Sequence, residues 1–339
     1  MLTKFKKLIA LSFISIFLVT CFAVSVHAAD NNTQSKASNC WMQDIPDDRS
    51  LKDITIPGTH DSGTKDIGDP IQQVKEKIFR PWAKTQTKSI REQLDEGIRL
   101  LDIRISYDSG TIMLYHGSGF CACTCNLSLK DAIGAVLQFL ADHPSETVIV
   151  SLKNEDGSNM SDKYRNMVSV IIDGFKSNDM VYAGKEIPTL GAVRGKMVIL
   201  NRLNECNFND VGLVYNDCII EDHFDKFADD KKAAIETALT NIENNVNDPN
   251  KIAITYTSTN PLTSISLSGF SWYDYILNPI GVATSIAAQL IGSEIENTSS
   301  TINSYLMNRD MSKAGCYGWL FMDMPSNELI NKVYSINFR

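Results

Sequence analysis

Two histidines stand in settings suited to chemistry. The run Pro57-Gly58-Thr59-His60-Asp61-Ser62-Gly63 places an imidazole beside a carboxylate in a glycine-rich turn, and Tyr115-His116-Gly117 places another after the short extended run Thr111–Leu114. Neither lies on an apolar face, where a histidine more often serves packing. Joined by an arginine, for which Arg104 is the candidate, such a pair can move a phosphoryl group without metal. One imidazole takes a proton from the nucleophile, the other gives one to the leaving oxygen, and the guanidinium steadies the negative charge between them. Each acid or base is worth roughly a hundred- to ten-thousandfold in rate. Asp61 and Asp323 are the carboxylates available to fix ring tautomer and orientation. The competing reading of Arg104 is an ordinary ion pair with Asp102. His143, at a helix end before Pro144, reads as structural, a cation welcome against the helix dipole.

These residues need elements to carry them. From Leu51 onward, short β-branched runs alternate with segments of helical period. Strands are expected at Asp53–Ile56, Arg99–Ser106, Thr147–Lys153, Lys196–Asn201, Cys218–Glu221, Lys251–Thr257 and Tyr317–Met322. Helices are expected at Leu129–Ala141, with Ser128 as cap, at Lys231–Asn244, and at Asn327–Tyr334. This alternation implies an α/β fold with parallel βαβ units, closed as a barrel or open and doubly wound. No glycine-rich phosphate loop or dinucleotide fingerprint accompanies it, which weakens a nucleotide-binding version. The strand ends favour the barrel, whose sites sit at the C-terminal ends of its strands. His60 and Asp61 follow the first strand and Arg104 ends the second. Lys153 and Glu155 follow the third, Arg202 the fourth, Asp222 the fifth and Asp323 the last.

The first residues carry Lys4, Lys6 and Lys7, an apolar and hydroxylic run from Leu8 to Val26, and Ala28-Ala29 before Asp30. That is the pattern of a secretion leader over 1–29, and 30–40 is a lead-in. A retained anchor is the alternative, since the run is long enough to span a bilayer. The formal net charge of −8 becomes more negative without the leader lysines, and no Lys/Arg cluster follows. Nucleic acid is therefore not expected as a partner, and membrane contact should rest on apolar side chains. The long connection Thr257–Asn303 supplies them, either as a core-facing helix or as a lipid-touching rim. Seven cysteines lie beyond Cys21. Cys121, Cys123 and Cys125 have the wrong spacing for a structural zinc site, so disulfides are expected, with Cys206 and Cys218 able to clip a loop.

From about Trp41 to its end the chain resembles the bacterial phosphatidylinositol-specific phospholipase C family, within the phospholipase C X-domain superfamily. Four ordered motifs carry the resemblance: Ile54-Thr55-Ile56-Pro57-Gly58-Thr59-His60-Asp61-Ser62-Gly63-Thr64, Gly97-Ile98-Arg99-Leu100-Leu101-Asp102-Ile103-Arg104, Leu114-Tyr115-His116-Gly117, and Pro144-Ser145-Glu146-Thr147 leading to Ser151-Leu152-Lys153. The resemblance implies a distorted (β/α)8 TIM-type barrel as a single domain over 41–339. It also implies a two-step reaction in which the inositol 2-hydroxyl attacks its own phosphate, releasing diacylglycerol and a cyclic inositol phosphate. His60 would be the general base, steadied by Asp323, and His116 the general acid, supported by Asp61. Arg104 would hold the phosphate where calcium acts in metal-dependent relatives, so no cofactor is expected. Lys153, Arg202 and Asp222 would bind ring hydroxyls, and Phe224 stands where the family has a stacking tyrosine. Trp272, Phe270 and Trp82 would meet the bilayer. The partners implied are phosphatidylinositol membranes, touched transiently by a secreted monomer. A metal-dependent glycerophosphodiester phosphodiesterase and a non-catalytic lipid-binding barrel are the alternatives.

Overall fold

Aliphatic side chains fill both faces of the central strands, as a parallel sheet covered on two sides requires. Every residue of β1 (Ile56–Thr59) and β11 (Trp319–Met322) is buried, and all but one of β5 (Val148–Asn154) and of β7 (Met197–Arg202). The other strands are β2 (Leu100–Asp108), β3 (Thr111–His116), β4 (Cys123–Ser128), β6 (Val181–Tyr182), β8 (Leu213–Val214), β9 (Ile219–Glu221) and β10 (Ala253–Tyr256). The structure, a computed structural model, describes residues 38–67, 83–117, 123–157, 160–203, 206–226, 228–259 and 298–339. These fall within one compact unit, Ser35–Arg339.

The sheet runs β6-β7-β5-β2-β1-β11-β10-β9, with β8 also beside β7. Neighbours along this path are parallel, while β3 and β4 add an antiparallel hairpin to β2. Among the described residues no ladder joins β8 to β9. Helices cover the outside, and each of four starts on a serine whose hydroxyl accepts a backbone N–H: Ser89 before Ile90–Asp95, Ser128 before Leu129–Asp142, Ser161 before Asp162–Lys176 and Ser326 before Asn327–Ser335. None of the helices described is long and apolar enough to cross a membrane.

Two expectations are corrected. The first strand starts later than Asp53: Leu51–Asp53 is a 3-10 turn closed by Ile54 N–H on Leu51 O, and the ladder begins at Ile56, whose N–H reaches Gly318 O. Pro57 is tolerated within β1, although it offers no donor. At Gly58 a Cβ would lie 2.8 Å from the Leu100 side chain, so close approach of β1 to β2 requires glycine. The second correction concerns the cysteines. The alternation of Cys123 and Cys125 is the period of β4, which turns both sulfurs into the core. Nor is the Cys206–Cys218 clip formed, because Cys206 Sγ donates to Gly157 O (3.1 Å) and Cys218 Sγ lies against Val214 O. Burial pushes the Cys218 thiol up to about 12.

Candidate active site

The C-terminal end of β1 turns sharply. His60 N–H still bonds Met322 O of β11, but Asp61 takes a left-handed backbone (φ 43), which redirects the chain so that Ser62 N–H reaches Asp102 O on β2. A non-glycine residue held there is strained, and such strain concentrates at functional sites. Gln86 grips the turn by donating to both His60 O and Met322 O. Thr85 adds its hydroxyl to His60 O.

The turn brings the two histidines onto one carboxylate. His60 Nε2 and His116 Nε2 each lie 3.2 Å from Asp61 Oδ2. On its other side His60 Nδ1 is 2.9 Å from Asp323 Oδ1, and a carboxylate can only accept, so this nitrogen carries a proton. Burial disfavours a charged ring at His60, but Asp61 and Asp323 outweigh it and raise its pKa above 6.5. Asp61 is itself buried, which would favour its neutral form. Arg104, His60 and His116 overcome that and hold it ionised far below the usual carboxylate range.

Arg104 is the hub of the charges. Its Nε donates to Asp102 Oδ2 (2.9 Å) and Nη1 to Glu155 Oε1 (3.2 Å), while Nη2 is 2.8 Å from Asp102 Oδ2. Its Nε also comes within 2.6 Å of Asp61 Oδ1, an ion pair off the N–H axis. The competing pair with Asp102 is therefore real, and it is part of the site rather than an alternative to it. His60, Asp61 and Asp102 are close enough to converge on a cation. The Arg104 guanidinium already lies against both carboxylates of that set.

Strand register lays out the remaining cations. Arg104 on β2 is level with Lys153 on β5, which is level with Arg202 on β7. Partners in register on parallel strands face the same way, so three cations form a row across one wall of the mouth. Lys153 Nζ pairs with Glu155 Oε2 (3.1 Å), and Arg202 Nη1 donates to Asp102 Oδ1 (3.2 Å). Asp222, half-buried after β9, feels His60, Arg202 and Arg104, and burial raises its pKa above the ordinary value. Phe224, on the same loop, is 50% exposed. Thus His60, Asp61, Arg104, His116, Lys153, Arg202, Asp222 and Asp323 gather at one mouth. Trp82, Phe270 and Trp272 lie outside the described residues.

Sequence reasoning passed over two tyrosines of this mouth. Tyr256 on β10, fully buried, accepts from Arg202 Nη1 at 3.0 Å, and the Tyr215 ring lies 4.3 Å beneath the same guanidinium. The available signal was a phenol at the end of a strand whose neighbours end in charge. His143 packs as a structural residue, its Nδ1 meeting Cys40 Sγ at 3.2 Å and its ring lying on Phe139, but burial with Arg99 and Arg91 lowers its pKa, against the cation expected at the helix end.

Residues 68–203 match the family model described as phosphatidylinositol-specific phospholipase C, X domain. The 1-phosphatidylinositol phosphodiesterase of Listeria monocytogenes is 37% identical over 163 residues, 48% of each chain. That of Staphylococcus aureus is 32% identical over 213 residues, 58% of each. The aligned region thus spans about half the length of these curated relatives. Among solved structures, the phosphatidylinositol-specific phospholipase C of Listeria monocytogenes superposes with a TM-score of 0.62 at 24% identity, covering 88% of this chain and 98% of that one. A variant of the Staphylococcus aureus enzyme superposes at 0.65 with 21% identity, covering 89% and 98%. Residues 68–203 thus match the phosphatidylinositol-specific phospholipase C X domain, and the chain shares the barrel fold of these bacterial proteins.

Proposed function

We propose that the protein is a secreted phosphatidylinositol phosphodiesterase that works by acid–base catalysis and needs no metal. The observation that carries this reading is the shared carboxylate: both imidazoles touch Asp61, and Arg104 closes the cluster. In the free protein His60 bridges two carboxylates, which raise its pKa against burial. To act as base it must lose the Nε2 proton, after which the inositol 2-hydroxyl takes the place of Asp61 at that nitrogen. Asp323 keeps the ring oriented and stabilises the imidazolium formed as the hydroxyl gives up its proton. The alkoxide attacks the phosphorus, charge accumulates on the phosphoryl oxygens beside Arg104, and His116 protonates the departing diacylglycerol oxygen. The products are diacylglycerol and a cyclic inositol phosphate. Lys153, Arg202 and Asp222 hold the ring hydroxyls, and Phe224 offers its face beneath the sugar. Trp272, Phe270 and Trp82 are proposed to meet the bilayer.

The test is product identification from phosphatidylinositol vesicles in excess chelator. Diacylglycerol and cyclic inositol phosphate are expected from the wild-type chain. Turnover of His60→Ala or His116→Ala should fall by about a hundred- to ten-thousandfold. Activity that vanishes with chelator and returns with a divalent cation would move the chain to the metal-dependent class. Intact lipid under both conditions would leave a binding protein.

A further inference from the structure

Arg202 reaches the mouth on a long side chain whose head is fixed from two sides. Nη1 donates to Asp102 Oδ1 at 3.2 Å and to the Tyr256 hydroxyl at 3.0 Å, and the guanidinium lies 4.3 Å from the Tyr215 ring centre. Among the described residues its Nε and Nη2 make no hydrogen bond, so these donors remain for a ligand. Burial keeps the Tyr256 phenol protonated. Tyr256 has a second neighbour. One face of its ring stacks on Phe321 at 4.6 Å, and His60 meets it at 6.1 Å with the rings nearly perpendicular (86°).

We infer that Tyr256 is a positioning residue for both halves of the site: its hydroxyl presets Arg202 for the inositol ring, and its aromatic ring sets the plane of His60. The inference rests on the proposed phosphodiesterase activity and deepens it. An arginine has many rotamers to lose on binding a ligand, and a tether made beforehand removes that loss. The two contributions belong to different atoms of one side chain, so substitutions can separate them. Tyr256→Phe deletes the hydroxyl and keeps the ring against His60. Tyr256→Leu deletes both.

The experiment is steady-state kinetics on soluble myo-inositol 1,2-cyclic phosphate, with calorimetric binding of myo-inositol and thermal denaturation in parallel. Tyr256→Phe should raise KM, and weaken myo-inositol binding, by about tenfold, the scale of one hydrogen bond to a charged group, with kcat held within about twofold. Tyr256→Leu should add a fall in kcat of roughly tenfold or more, as expected for a general base no longer held in reacting geometry. Unchanged KM and binding in Tyr256→Phe overturn the inference, even where its melting temperature drops, because the hydroxyl would then be structural only. An equal loss of kcat in Tyr256→Phe and Tyr256→Leu also overturns it. Should Tyr256→Leu fail to fold, Tyr256→Phe alone decides. A wild-type chain that binds myo-inositol but turns nothing over removes the proposed activity and leaves Tyr256 to be judged on the binding ratio. One that neither binds nor turns over removes both.

Discussion

Arg99 enters β2 and Arg104 lies further along it, and both are surrounded by acceptors, yet the two environments differ in kind. Arg99 is fully buried, and each of its donors is used: Nε on Glu146 Oε2 (2.9 Å), Nη1 on Leu94 O and Ile98 O, Nη2 on Ser38 O and Asn39 O. Phe139 stacks on the guanidinium at 4.5 Å. One carboxylate balances one cation, the other acceptors are neutral carbonyls, and burial lowers the arginine pKa. Arg104 instead meets Asp61, Asp102 and Glu155, and those charges drive its pKa well above the usual value although burial opposes it. A balanced, saturated arginine holds the fold together. An arginine outnumbered by carboxylates, at a mouth where its side chain is still 14% exposed, keeps a field that a substrate can exploit.

That contrast can be broken by experiment, and the largest effect should come from Arg99. Arg99→Met leaves Glu146 buried without its partner and should cost about 3–5 kcal/mol in urea denaturation, while the fraction that remains folded keeps its kcat. Replacing both partners, Arg99→Met with Glu146→Leu, should recover much of that loss. Next comes Arg104→Lys, which keeps the charge but loses the fork that engages Asp102 and Glu155. Turnover should drop by about 10²- to 10³-fold, with the denaturation midpoint close to wild type. If Arg104→Lys unfolds as early as Arg99→Met, the two arginines do the same work and the distinction fails.

A smaller and more diagnostic change is Asp323→Asn. It removes one of the two carboxylates that raise His60, so the ascending limb of kcat/KM against pH should move to lower pH while its plateau falls about tenfold. The same titration enters stability with a definite sign. Since the folded pKa lies above the unfolded value of about 6.5, the contribution is complete below that pH. It is lost as pH rises through the folded pKa. In Asp323→Asn this pH-dependent part should shrink in urea titrations between pH 5 and 8, and an unchanged profile would separate His60 from Asp323.

Much of the molecule could be read from the chain itself. The β-branched runs marked six strands of the wall and the approach to β1, and the charges that follow them marked the mouth, because a strand needs apolar residues along its length whereas its end does not. The turn from Pro57 to Gly63 announced its histidine through glycine and proline punctuation. Cys123 and Cys125 misled, because alternation serves a strand's buried face as well as it serves covalent pairing, and only the packing of β4 tells which.

What the sequence could not carry was register and sharing. That Arg104, Lys153 and Arg202 stand level follows from how β2, β5 and β7 slide against one another, and spacing along the chain contains no record of it. That one carboxylate, Asp61, serves both imidazoles depends on the left-handed bend at its own backbone and on the hairpin of β2 and β3, which returns His116 toward the end of β1. Tyr256 was hidden for the same reason: a phenol in an apolar strand is indistinguishable from core until the arginine of another strand is found on its hydroxyl. The sequence by itself determined which groups are available and that they sit at strand ends, since local propensity and periodicity are local properties. Only the tertiary structure decided which charges meet and in what ratio, since hydrogen bonds and ion pairs between strands depend on distances that the closing of the sheet sets.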